Sequence, residues 1–124
     1  MNKRIFISFA KEDIRFRDLL VGQAKNKKSP FEFIDMSVKT PWIEKWKTQC
    51  RIKIKGCNGL IVLLSKDTIG AKGARWEIKC ALEEDVPVRG IYISRDGCTI
   101  PPELKGKRVV YWTWSNISTF LNSL

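Results

Sequence analysis

The chain has no histidine among its 124 residues, and that absence removes much of the familiar hydrolytic chemistry. Imidazole is the usual general base near neutral pH, so neither a serine–histidine nor a cysteine–histidine nucleophile can be built in its ordinary form. The four cysteines, Cys50, Cys57, Cys80 and Cys98, show no C-x-x-C spacing. With no histidine to complete a mixed set, a zinc site is disfavoured and no metal is expected. Catalysis, if present, has to come from carboxylates, lysines, hydroxyls or backbone dipoles. No apolar run approaches the roughly 20 residues of a membrane span. The N-terminus is basic then apolar, but Lys11-Glu12-Asp13 interrupts it at once. It therefore reads as a first strand and not a signal peptide, with the cytoplasm as default compartment and no membrane partner. G-x-G-x-x-G, P-loop, internal repeat and low-complexity linker are all missing.

What is there is the composition of a globular protein, 44% apolar and 29% charged, enough for one domain over residues 1–124 with its own core. The formal charge is +10. Its lysines and arginines are scattered, with one ordered stripe at Lys47, Arg51 and Lys55, and such a stripe is usually a solvated helix face. Nucleic-acid binding is disfavoured on that ground, while a basic surface would draw in a dianionic dinucleotide equally well. Cys50 and Cys57, on the apolar side of a helix, read as small hydrophobes.

Strand and helix signals alternate. Arg4 to Phe9 reads as a strand, and Asp13 as the cap of a helix to about Ala24 using Ile14, Leu19, Leu20 and Val21 inward. Phe31 to Ile34 is a second strand. Thr40-Pro41 predicts a helix start, with Trp42, Ile43, Trp46, Cys50, Ile54 and Cys57 on one buried face. Leu60 to Leu64 is continuously apolar, as for a central strand covered on both sides. A helix carrying Glu77 follows and ends near Asp85. Val88 to Ser94 and Val109 to Trp114 are further strands, and Ser115 is expected to cap a last helix. The expected fold is α/β: a flavodoxin-like three-layer sandwich around a five-stranded parallel sheet of order 2-1-3-4-5.

Ligands in such sheets bind beyond the carboxyl ends of the strands, near the switch between the first and third. That rule gathers Phe9 and Ala10, the loop Asp35 to Lys39, Ser65 to Thr68, and the start of the Glu77 helix. A phospho-receiver needs an acidic pair after the first strand and an aspartate ending the third; Phe9-Ala10-Lys11 and Ser65 stand there instead. A flavin phosphate loop is not supplied by Lys11-Glu12-Asp13 either. Glu77 lies about 40° round the helix from Ala81, at the edge of the stripe Ala74, Ile78, Ala81 and Leu82, so it should be partly desolvated. The helix N-terminus favours its ionised form and apolar neighbours oppose it. The plainer role is a first-turn acid serving the helix dipole.

Several segments carry a resemblance. Arg4-Ile-Phe-Ile-Ser-Phe9 followed by Asp13 resembles the first box of Toll/interleukin-1 receptor (TIR) domains. Asp35-Met-Ser-Val-Lys39, Glu44-Lys-Trp-Lys-Thr-Gln-Cys-Arg51, Gly59-Leu-Ile-Val-Leu-Leu-Ser65, Trp76-Glu-Ile-Lys-Cys-Ala81 and Tyr111-Trp-Thr-Trp114 are similar to the bacterial TIR-like family that includes the TIR subunit of Thoeris anti-phage systems. The resemblance implies a flavodoxin-like fold and, in many members, cleavage of NAD+ at the nicotinamide–ribose bond. NAD+ is then substrate, with no resident cofactor. Some members release a cyclic ADP-ribose isomer that activates a partner effector, and members also self-associate or bind other TIR domains. The essential glutamate of the family falls on Glu77, and the loop Met36 to Pro41 covers the nucleotide and mediates assembly. Phe9 is expected to line the nucleotide pocket, Asp35 and Ser37 to contact ribose or phosphate, Lys66 to reach the pyrophosphate, and Trp76 to stack on nicotinamide. The plain alternatives are packing for Trp76, turn formation for Asp35 and Ser37, and solvation for Lys66. Many catalytic relatives carry tryptophan one turn before the glutamate, where this chain has Gly73. Either Trp76 supplies the stacking, or the activity is weak or absent and the domain is a non-catalytic assembly module.

Overall fold

The computed structural model describes residues 3–36 and 38–124. Five strands, β1 (Arg4–Ser8), β2 (Glu32–Ile34), β3 (Gly59–Leu64), β4 (Val88–Tyr92) and β5 (Val109–Tyr111), form one sheet in the order β2-β1-β3-β4-β5. Every neighbouring pair is parallel. Four helices pack on it: α1 (Ile14–Asn26), α2 (Glu44–Lys55), α3 (Lys72–Glu83) and α4 (Trp114–Asn122). This is the flavodoxin-like three-layer sandwich that the alternating pattern predicts.

Strand alternation divides the interior in two. Ile5, Ile7, Ile61, Leu63 and Ile91 meet Leu20 of α1 and Ile117, Phe120 and Leu121 of α4. Phe6, Leu60, Val62 and Leu64 meet Trp46, Cys50 and Ile54 of α2 and Ile78, Cys80 and Ala81 of α3. All six residues of β3 are buried, as its unbroken apolar run requires.

Several boundaries differ from expectation. Asp13 does not cap α1 with its side chain; its carboxylate accepts a 2.5 Å hydrogen bond from Ser65 Oγ, across to the end of β3. Ile14 and Leu19 face solvent, leaving Leu20 and Ala24 as the buried positions of α1. Thr40-Pro41 opens a turn, closed by Ile43 N–H donating to the Thr40 carbonyl, and α2 starts only at Glu44. Trp42 and Ile43 therefore lie off the helix, 72% and 45% exposed, and not on its buried face. The helical spacing of Trp42, Ile43 and Trp46 in sequence is coincidental, because proline favours a turn as readily as a first helical residue. At α4 the cap is Thr113, whose hydroxyl accepts from Asn116 N–H, two residues before the expected Ser115. Among the described residues no helix is long and apolar enough to cross a membrane.

Candidate functional site

Glu77 sits in the second turn of α3, which starts at Lys72. The buried positions of that helix are Gly73, Ala74, Glu77, Ile78, Cys80 and Ala81, so the glutamate belongs to the inward stripe, not to its edge. Its side chain has no exposed surface. β1 ends against it: Ser8 shares a side with Phe6, and its hydroxyl donates to Glu77 Oε1 at 2.8 Å while lying 3.2 Å from the Ala74 carbonyl. Lys39, from the β2–α2 loop, donates from Nζ to both carboxylate oxygens at 2.9 and 2.8 Å. Cys50 Sγ of α2 is 3.9 Å from Oε2. Three separate segments thus converge on one carboxylate carried by a fourth, α3.

Burial pushes the Glu77 carboxyl up to about 7, against the opposing pull of the Lys39 charge and the Lys39 and Ser8 hydrogen bonds. The group is therefore poised between acid and carboxylate near neutrality, the condition under which a side chain both holds charge and exchanges a proton. The same burial, with the Glu77 charge beside it, pushes the Cys50 thiol far above its usual range. Cys50 is thus a weak donor and not a nucleophile.

A cleft of about 450 Å³ opens at this edge, lined by Phe9, Ala10, Lys39, Trp42, Lys66 and the Gly70 to Ala74 segment, among others. Its wall is braced: Arg75 donates to the Ile69 carbonyl and pairs with Glu103, while Thr68 Oγ accepts from the Ser65 N–H. Lys11, Lys39, Lys66 and Lys72 line it against the two acids Glu12 and Asp67, so the mouth is cationic. Such a mouth suits a phosphate-bearing ligand.

Of the residues singled out from sequence, Phe9 and Lys66 line the cleft with Lys39, and Glu77 lies directly behind that lysine. Phe9 is fully buried, its ring covered by Lys39 Nζ at 4.3 Å and the Arg17 guanidinium at 5.7 Å. Asp35 lies to one side, bound to Arg17 at 2.7 Å. Ser37 falls outside the described residues. Trp76 is on the other flank of α3: it packs edge-on against Trp46 at 5.4 Å, lies under the Arg51 guanidinium, and does not line this cleft. The aromatic at the cleft mouth is Trp42. Sequence reasoning passed over Ser8, Lys39 and Cys50 as site residues. Ser8 had a usable signal, because strand alternation puts it on the side of Phe6, toward α3. Lys39 is brought to this edge by sequence only as the last residue of the Asp35 to Lys39 loop, with nothing marking it as the partner of Glu77, and Cys50 carries no signal. The basic stripe of α2 is answered by acids: Arg51 pairs with Glu83, the last residue of α3, and with Glu84 just beyond it, and Lys47 pairs with Glu44.

A five-stranded parallel sheet of this order, layered between helices, is shared with solved TIR domains. The TIR domain of the Toll-related receptor TRR-2 from Hydra magnipapillata superposes with a TM-score of 0.74, at 17% identity, over 95% of this chain and 97% of that one. The TIR domains of the activated Roq1 resistosome, which recognises the pathogen effector XopQ, match at 0.56 and 18% identity, over 73% of this chain and 57% of that one. Those likenesses establish the fold. The family described as the TIR-like domain of the Thoeris protein ThsB matches residues 6–97, and the chain belongs to it. No curated protein matches.

Proposed function

We propose that this domain is a signalling enzyme that cleaves the nicotinamide–ribose bond of NAD+, with Glu77 as its catalytic carboxylate. The observation that carries the reading is the placement of Glu77: fully desolvated, hydrogen-bonded, and directly behind a cationic cleft at the switch point of the sheet. As the glycosidic bond breaks, the pyridinium takes the bonding pair and leaves as neutral nicotinamide, and positive charge passes to the ribose. A carboxylate facing that oxocarbenium-like centre stabilises it, and strongly so where water is excluded. Lys66, with Lys11 and Lys72, supplies charge toward the pyrophosphate, and Phe9 forms the wall behind the ribose. Trp42 offers the stacking surface nearest the cleft, in place of Trp76. Asp35 and Ser37 are the remaining proposed ribose or phosphate contacts, and Asp35 would exchange Arg17 to make one. The ADP-ribose unit, hydrolysed or closed to a cyclic isomer, is the messenger passed to a downstream effector in anti-phage defence, as the family resemblance implies.

The test is nicotinamide release from NAD+ by the purified protein at high concentration, where self-association is favoured. Glu77→Gln should lower it by about a hundredfold or more, the loss typical of removing a charge-stabilising group. Equal turnover in the variant sinks the assignment.

One observation favours a second reading. Glu77 is entirely covered, while Val38, Trp42 and Ile43, in the same β2–α2 segment as Lys39, present large apolar surface to solvent. A non-catalytic module assembling with other TIR domains through that loop would look the same. Oligomers that form without turnover, and that dissociate with Trp42→Ala, would support it.

A further inference from the structure

We propose that Lys39 is a built-in cationic latch: its ammonium occupies the position on Glu77 and Phe9 that a cationic ligand takes, so ligand entry is the exchange of one cation for another. The inference rests on the catalytic reading of the same cleft and adds its regulation.

The Lys39 side chain is only 8% exposed, although it comes from a loop. Its Nζ satisfies both oxygens of Glu77 and stands 4.3 Å from the centroid of the Phe9 ring, within cation–π range. Carboxylate and aromatic face are the two features by which the cleft would recognise an organic cation, and the same ammonium covers both. The loop delivering it is pinned from behind, because the Trp46 indole donates to the Val38 carbonyl at 2.7 Å. The lysine stem lies along α3 at Gly73. A side chain at 73 would put its Cβ 2.8 Å from Lys39 Cβ and 3.3 Å from Cγ and Cδ. Glycine at that position is what lets the stem pass, and this accounts for the missing tryptophan one turn before Glu77. Leaving the carboxylate buried and unpaired is costly, so the latch opens readily only when another cation takes its place.

Two variants test this without relying on turnover. Lys39→Ala removes the plug. Gly73→Ala leaves every charge intact, falls in the first turn of α3 where alanine suits the helix at least as well as glycine, and presses on the stem. Carbodiimide coupling of an amine nucleophile, mapped by mass spectrometry, reports access to the Glu77 carboxyl. In the wild type Glu77 should be protected, and in both variants its labelling should rise at least tenfold; 1-methylnicotinamide, methylated on the ring nitrogen and so a bare pyridinium cation of the required shape, should suppress it. Nicotinamide release from NAD+ without any trigger should rise by a similar factor in Gly73→Ala. Glu77 as protected in folded Gly73→Ala and Lys39→Ala as in the wild type overturns the latch. Increased labelling with no nicotinamide release supports the latch and removes the NAD+ reading instead.

Discussion

The sheet has two faces with different interiors. Under α1 and α4 the core cluster is built of Ile, Leu and Phe. Under α2 and α3 the same sheet meets three thiols, a tryptophan, a buried serine hydroxyl and a fully desolvated glutamate. β1 contributes to both, with Ile5 and Ile7 on one side and Phe6 and Ser8 on the other. The first face is optimised for cohesion. The second gives up part of that cohesion to hold one ionisable group away from water, and Cys50 and Cys80 are the small soft residues that leave it room. Phe9 joins the two, packed in the apolar face and touching the cleft with its ring.

The comparison can be broken at its strong side first. Phe120→Ala in α4 should cost about 4 kcal/mol of unfolding free energy, read from denaturant midpoints, because it removes a large buried ring and leaves a cavity. A loss near that of a surface mutation would show that the apolar face does not dominate stability.

The next effect belongs to Glu77 and has a defined sign. Its folded value, about 7, lies above the ordinary 4.5. Between those values the folded protein keeps a proton that the unfolded chain has released, so the stabilisation is complete below pH 4.5 and is lost as pH rises through 7. Across that window the wild type should lose about 3 kcal/mol relative to Glu77→Gln, at 1.36 kcal/mol per unit. Parallel stability profiles for the two proteins would mean that the carboxyl is not desolvated in solution.

Cys50→Ala should be milder, about 1 kcal/mol, since it removes one soft atom from a site with other neighbours. Cys50 in the wild type should also resist thiol reagents under native conditions, its thiol held neutral by burial and by Glu77. Least of all, Arg51→Ala on the outside of the second face should barely move the melting temperature, because its partners Glu83 and Glu84 are solvated enough to be screened.

Much of the architecture was legible beforehand because strands and helices write their period into the chain. The run Leu60 to Leu64 announced a central strand, and alternation with helices implied a parallel sheet in this order. Glu77 was legible for a related reason: an acid next to an apolar helical stripe cannot avoid partial burial. The turn at Thr40-Pro41 was not, since one dipeptide serves two local structures equally well. Adjacency to Glu77 in sequence points Trp76 toward the cleft, but the structure does not keep it there. Adjacent helical residues point about 100° apart, and that rotation carries it to the α2 side.

The sequence on its own determined the order of elements, the apolar sides of the central strands, and that Glu77, beside an apolar helical stripe, would be drawn out of water near the carboxyl edge. All of these follow from local periodicity. Only the tertiary structure decided that the acid would be sealed, and by Lys39, 38 residues away along the chain. The pairing of a loop lysine, a strand serine and a helix thiol on one carboxylate depends on where three crossovers converge, and no spacing in the chain encodes that.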